Sequence, residues 1–365
     1  MSPSSQSSSE SGSPSDRVPV DWSIAATTGT LLVGNGPNVS RAEADRAVAQ
    51  LAELSIVAEG HVRELTGLGA HLPLVAGTVV DRRAWVRAAA AGLGALTGTA
   101  QGEVGKRSDQ HGPLRSLLAG GAGVQTGLAL AFLGSKVLGQ FDPFGTPGDG
   151  GTDAGRLLLV APNVIQAERA MGVASDDFRM WVCLHESTHR LQFTAIEWLR
   201  EYFATEVGRF IAAMDDTTAR SLGRLPEAIR QARSGTASPL GLAEALQSPE
   251  QRQAFDRLIA LATLLEGHAD YVMDAVGPEV VPSVATIRRK FTERRKGGGL
   301  LDRLLRSLLG IDAKIKQYEQ GAAFTRHVVD RVGMSGFNAV WQSPETLPAR
   351  GEFSEPDAWL RRVHG

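Results

Sequence analysis

The chain has 365 residues, 42% of them hydrophobic and 21% charged, which excludes fibrous, disulfide-framework and wholly disordered proteins and allows a large core. Its 38 Lys and Arg against 40 Asp and Glu leave a formal charge of -2, without the positive field that non-specific nucleic-acid or anionic-membrane binding needs. The single cysteine, Cys183, excludes an intrachain disulfide and a Cys-based zinc cluster, and the polar N-terminus lacks the charged-then-apolar run of a secretory signal; together they point to a cytoplasmic setting.

Residues 1–17 hold nine serines and two prolines and are expected to form a disordered tail. The rest, 18–365, is expected to be one body, with an N-terminal helical part over about 18–150 and a second part over about 151–365. Behind a Ser40 N-cap, Ala, Val and Leu recur at three- and four-residue steps to Val57, the pattern of an amphipathic helix, and Asp81 to Leu96 repeats it. Ser116 to Ser135 carries no charge, long enough on paper to span a bilayer. Its five glycines, Gln125 near its centre and the lack of flanking aromatic belts favour a closely packed buried helix, or one broken at the glycines.

Phe141 to Gly155 is rich in Gly, Pro and Asp and is predicted to be a loop, in which Asp142 and Asp153 suggest a second cation site but serve more simply as turn formers. Arg156 to Val160 is the best strand candidate. Helices are predicted from Ser175 to about Ala195, from Leu258 to Val276 with a stop at Gly277-Pro278, from Leu300 to Leu309 and from Ala313 to Val332. Gly297 to Gly299 reads as a flexible joint after a basic cluster that includes Arg288, Arg289 and Lys290, a solvated face or, alternatively, an anion-binding rim. Trp341 and Trp359 are expected anchors for the C-terminal end.

The strongest feature is His185-Glu186-Ser187-Thr188-His189. Side chains four apart lie above one another on one helix face, so two imidazoles can grip one ion, with Glu186 beside it to accept a proton from water activated there. With 8 His and 21 Glu in the chain, chance would produce this spacing roughly 0.01 times per sequence. A catalytic zinc site needs a third protein ligand and an open fourth position. Glu266, 77 residues after His189, fills that role, and Asp270, four further on the same face, is placed to hold a ligand histidine through its other ring nitrogen. His268 is the rival ligand, although it projects roughly 160–200° away from Glu266 on the helix.

His-Glu-x-x-His followed on a later helix by Glu-x-x-x-Asp resembles the gluzincin pattern of thermolysin-like metallopeptidases. The resemblance implies one zinc per chain on His185, His189 and Glu266, Glu186 as general base and Asp270 behind the ligands. The text around Val160-Ala-Pro-Asn-Val, Asp177 to Phe193, Glu266 to Pro278, Leu309 to Lys314 and Gln317 to Gly321 is similar to an actinobacterial family of zincin-like hydrolases, over roughly Val20 to Val363. Some of its members are labelled as associated with biosynthesis of a deazaflavin coenzyme. The implied fold is mainly α, a zincin-like helical metalloprotease with little β.

The expected activity is zinc-dependent hydrolysis, first of a peptide or amide bond, with the metal activating water and Glu186 carrying the proton to the leaving amine. Tyr318, Tyr271, His327 and Arg288 are the candidates to stabilise the oxyanion, and Lys290 to Leu300 is a candidate lid. Two other readings keep the metal: a hydrolase for a small metabolite, and a catalytically silent zinc-binding interaction protein, against which the intact Glu186 argues. A groove beside an exposed strand edge, proposed at Leu157 to Val160, would suit an extended peptide, whereas a narrow closed cavity would suit a small molecule.

Overall fold

The computed structural model describes residues 20–100, 113–145, 155–212, 249–296 and 311–365. The expected tail over 1–17, the glycine joint at 297–299, the helix over 300–309 and Asp153 lie outside these residues.

Helix α1 (Trp22–Leu32) starts at Asp21, whose carboxylate accepts from the backbone N–H of Ser23 and Ile24. After α2 (Arg41–Thr66), capped by Ser40 and ended by Gly67 in the left-handed region, come strand β1 (Thr78–Val80) and α3 (Arg82–Ala100). The uncharged glycine-rich stretch forms α4 (Pro113–Gly134), one helix not interrupted at its glycines. The glycines let it lie directly on α1: a Cβ at Gly127 would stand 2.6 Å from Thr28 Cβ and 2.8 Å from the Ala25 carbonyl oxygen. No helix among the described residues is long and apolar enough to cross a membrane.

Strands β2 (Gly139–Asp142) and β3 (Arg156–Val160) join β1 in a three-stranded sheet of order β1-β3-β2. β3 is parallel to β1, with Val79 opposite Leu159, and antiparallel to β2, with Gln140 opposite Leu158. Its continuous Leu-Leu-Leu-Val run follows from this central position, where all five residues are buried. Two expectations are corrected here. Leu157 to Val160 is internal, so it offers no edge for strand addition; among the described residues the edges belong to β1 and β2, and β2 is the one beside Glu186. Phe141 and Asp142 close β2 and so are not part of a loop; Asp142 is buried, accepts from the Phe144 N–H and lies 3.7 Å from Arg156, which makes it an ion-pair member.

Helix α5 (Ala161–Met171) leads into α6 (Ser175–Ala195), whose apolar side, including Phe178, Trp181, Val182 and Leu184, enters a core shared with α2. Residues 199–212 are helical, followed among the described residues by α7 (Pro249–Ala275) and α8 (Val284–Lys296). Helix α9 (Ile311–Phe337) bends at Gly333, and short 3-10 turns then lead to α10 (Pro356–His364). Trp341 and Trp359 are buried beside Phe324, Phe337 and Leu264, anchoring this end as the sequence predicts. The crossing of α7 over α9 is made at two glycines. A Cβ on Gly267 would run into the backbone of Gly321, and one on Gly321 into the carbonyl of Thr263. That contact fixes the helix that carries Glu266.

Candidate metal centre

Asp176 and Asp177 in the first turn of α6 suit the positive end of the helix, and the buried apolar face holds the helix against α2 and α7. Four residues apart on it, His185 and His189 meet edge to face, ring centroids 4.6 Å apart, with their Nε2 atoms separated by 3.1 Å. Glu266 on α7 brings Oε2 to 3.5 Å from His185 Nε2 and Oε1 to 3.8 Å from His189 Nε2. Bonds of about 2.0–2.1 Å to a tetrahedral zinc ion imply ligand–ligand separations of about 3.3 Å, a value these three distances bracket. Two imidazoles and a carboxylate also form a donor set that zinc accepts, so the residues present fit a divalent ion. Among the described residues this is the one group of three or more potential ligands that converges.

Glu186, between the two histidines, is buried and packs against Gly139 of β2, where an added Cβ would come within 2.6 Å of its Cγ. Burial, and secondarily the charge of Glu266, raises its carboxyl well above the usual carboxylate range. All four residues line a cavity of about 440 Å³, floored by β2 residues 139–142 and walled by Phe141, Phe144, Phe193 and Phe203. The stacked pair Phe141–Phe193, at 6.0 Å between centroids, and the edge-on pair Phe193–Phe203, at 6.1 Å, make one continuous aromatic wall.

The structure separates the other sequence candidates. His268 turns away from the ion site into the core, stacked on Phe337 at 5.2 Å, and burial depresses its pKa to about 3. Asp270, one turn beyond Glu266, lies 3.7 Å from Arg288. Met273 Sδ lies 3.2 Å from His185 Nδ1. Arg288 also pairs with Asp274, His327 pairs with Asp357 at 2.8 Å, and Tyr271 packs in the α6 core; none of the three lines the cavity. The Tyr318 side chain lies outside the described residues. Of the basic cluster, Lys290 donates to the carbonyls of Met171 and Gly172 and so ties α8 to the end of α5.

Sequence reasoning missed Gln192, Met273 and Gly139. Helical spacing could have found the first two, since Gln192 follows His189 by three residues and Met273 follows Glu266 by seven, each on the same helix face as the candidate ligand. Gly139 has no such signal, because its role depends on a strand pairing that brings β2 against Glu186.

A mainly helical scaffold presenting two histidines and a glutamate around a buried second glutamate is the arrangement of a metal-dependent hydrolase. The chain belongs to the family of zincin-like metallopeptidases, whose model matches residues 20–360. It is also similar to the crystal structure of a protein from Chloroflexus aurantiacus, provisionally called a hydrolase and described as having a novel fold. The two share 28% sequence identity with a TM-score of 0.63, over 94% of this chain and 99% of that one. No curated protein matches the chain.

Proposed function

We propose that the protein is a zinc-dependent peptidase in which His185, His189 and Glu266 hold the ion and Glu186 is the general base. Zinc in that position supplies a Lewis acid that makes water nucleophilic near neutral pH and polarises the scissile carbonyl. Glu186 takes the proton of the attacking water at its carboxylate and delivers it to the leaving amine. The burial that raises its proton affinity suits the second half of that task, since the proton is then held until the amine departs. Asp270, on the Glu266 face of α7, steadies the ligand set from one turn away.

The observation that carries the peptide reading is the edge of β2. Among the described residues its outer side has no strand partner, and its residues line the cavity beside Glu186, where an extended backbone can add as a further strand. The aromatic wall suits a large apolar side chain next to the bond that is cut.

Metal analysis by mass spectrometry on wild type, His185→Ala and Glu266→Ala tests the site: about one zinc per chain is expected, lost in both variants. Zinc kept in Glu266→Ala would move the third ligand elsewhere, and no metal even after supply would end the metallohydrolase reading. A peptide-library digest with Glu186→Gln as control then tests the chemistry. Zinc binding without cleavage of any peptide would favour a small-molecule substrate or a silent binding protein.

A further inference from the structure

Gln192 is fully buried on α6, and its side-chain amide touches three groups. Its Nε2 lies 3.0 Å from the Leu265 carbonyl oxygen and 3.0 Å from His268 Nδ1, and its Oε1 lies 2.9 Å from His189 Nδ1. A carbonyl oxygen can only accept, so the amide atom facing Leu265 has to be the NH2 group, which fixes which end of the amide is which. The oxygen at the other end can only accept, so His189 Nδ1 carries the ring proton. His189 Nε2, the atom turned toward His185 and Glu266, is therefore a bare lone pair. The second N–H of the amide meets His268 Nδ1, which has to be bare in turn, leaving the His268 proton on Nε2.

We infer that Gln192 is a positioning residue: it selects the metal-binding tautomer of His189 and joins α6 to α7 at the residue just before Glu266, so that ligands on two helices share one frame. The part that concerns metal affinity rests on the reading of His189 as a ligand; the tautomer pattern does not. This also gives His268 its place in the molecule. The rival ligand of the sequence is the fixed acceptor at the far end of the amide, held between Gln192 and the aromatic rings of Phe337 and Trp341.

The test is long-range proton–nitrogen correlation spectroscopy of the histidine rings in chelator-treated full-length protein, together with zinc titration by competition against a chromophoric chelator. Wild type is expected to show His189 protonated at Nδ1 and His268 at Nε2. Gln192→Met, close in shape but without a hydrogen-bonding amide, is expected to let the His189 proton redistribute toward Nε2 and to weaken zinc binding about 10–100-fold. Gln192→Glu keeps an acceptor at His189 Nδ1 but sets a second oxygen against the Leu265 carbonyl, so it is expected to hold the His189 proton on Nδ1 while the join to α7 is lost, a separation that simple loss of packing would not produce. Finding wild-type His189 protonated at Nε2, or zinc bound by Gln192→Met as tightly as by wild type, overturns the inference. If wild type takes up no zinc at all, the metal reading fails by itself, and the ring spectra of the same sample still decide whether Gln192 sets the two tautomers.

Discussion

Glu186 and His268 are both buried ionisable groups, and burial drives them in opposite directions, each toward its neutral form. Glu186→Gln keeps the shape of the side chain and removes the proposed base. It is expected to retain zinc and to lose about 10²–10⁴-fold in turnover on the best library peptide, read by metal analysis and hydrolysis on the same preparation. His268 bears on stability instead. Its pKa falls from 6.5 to about 3 on folding, so between those values the unfolded chain binds a proton that the folded chain does not. Stability is therefore lost as pH drops through that window, by up to about 1.4 kcal/mol per pH unit. Glu186 has the opposite sign: its neutral form is favoured by folding, and its contribution fades as pH rises through its elevated pKa. Urea unfolding of His268→Gln is expected to show a shallower loss of stability between about pH 6 and pH 4.5 than wild type, since the missing group carries the slope.

Among the elements, what the sequence made legible follows from periodicity. His185 and His189 are four apart on a helix that announces itself through Asp176, Asp177 and its apolar face, and Glu266 lies on a second helix of equal clarity. Both helices appear with Glu266 close to the two rings. β2 was not legible: it is four residues long, begins at a glycine, and pairs with β3 across a connection of more than a dozen residues, so no local pattern marks it. The glycine crossing was equally silent, because Gly267 and Gly321 are meaningful only once α7 and α9 touch. Gly321→Ala is expected to destabilise the protein by about 1–3 kcal/mol or more, whereas Gly60→Ala, on α2 with open space around it, is expected to stabilise it by about 0.5–1 kcal/mol. Denaturant midpoints of the two variants check both signs. Gly139→Ala is a test of the site, since its methyl group meets the Glu186 side chain: turnover is expected to fall with zinc content unchanged.

For the molecule as a whole, the proposed ion site bridges α6 and α7, so a bound ion is expected to stabilise the folded chain by mass action, about 4 kcal/mol when free zinc exceeds its dissociation constant a thousandfold. Thermal unfolding with and without a chelator is expected to separate in wild type and to coincide in His185→Ala. The two-glycine crossing has a consequence of its own. With backbone against backbone and no side chain between, α7 and α9 cannot part by small rotamer adjustments, so the amide protons near 263–267 and 321–325 are expected to be among the last to exchange with deuterium. Glu266 lies within that segment, so the backbone that carries its carboxylate is expected to hold its place while the surface of the protein loosens.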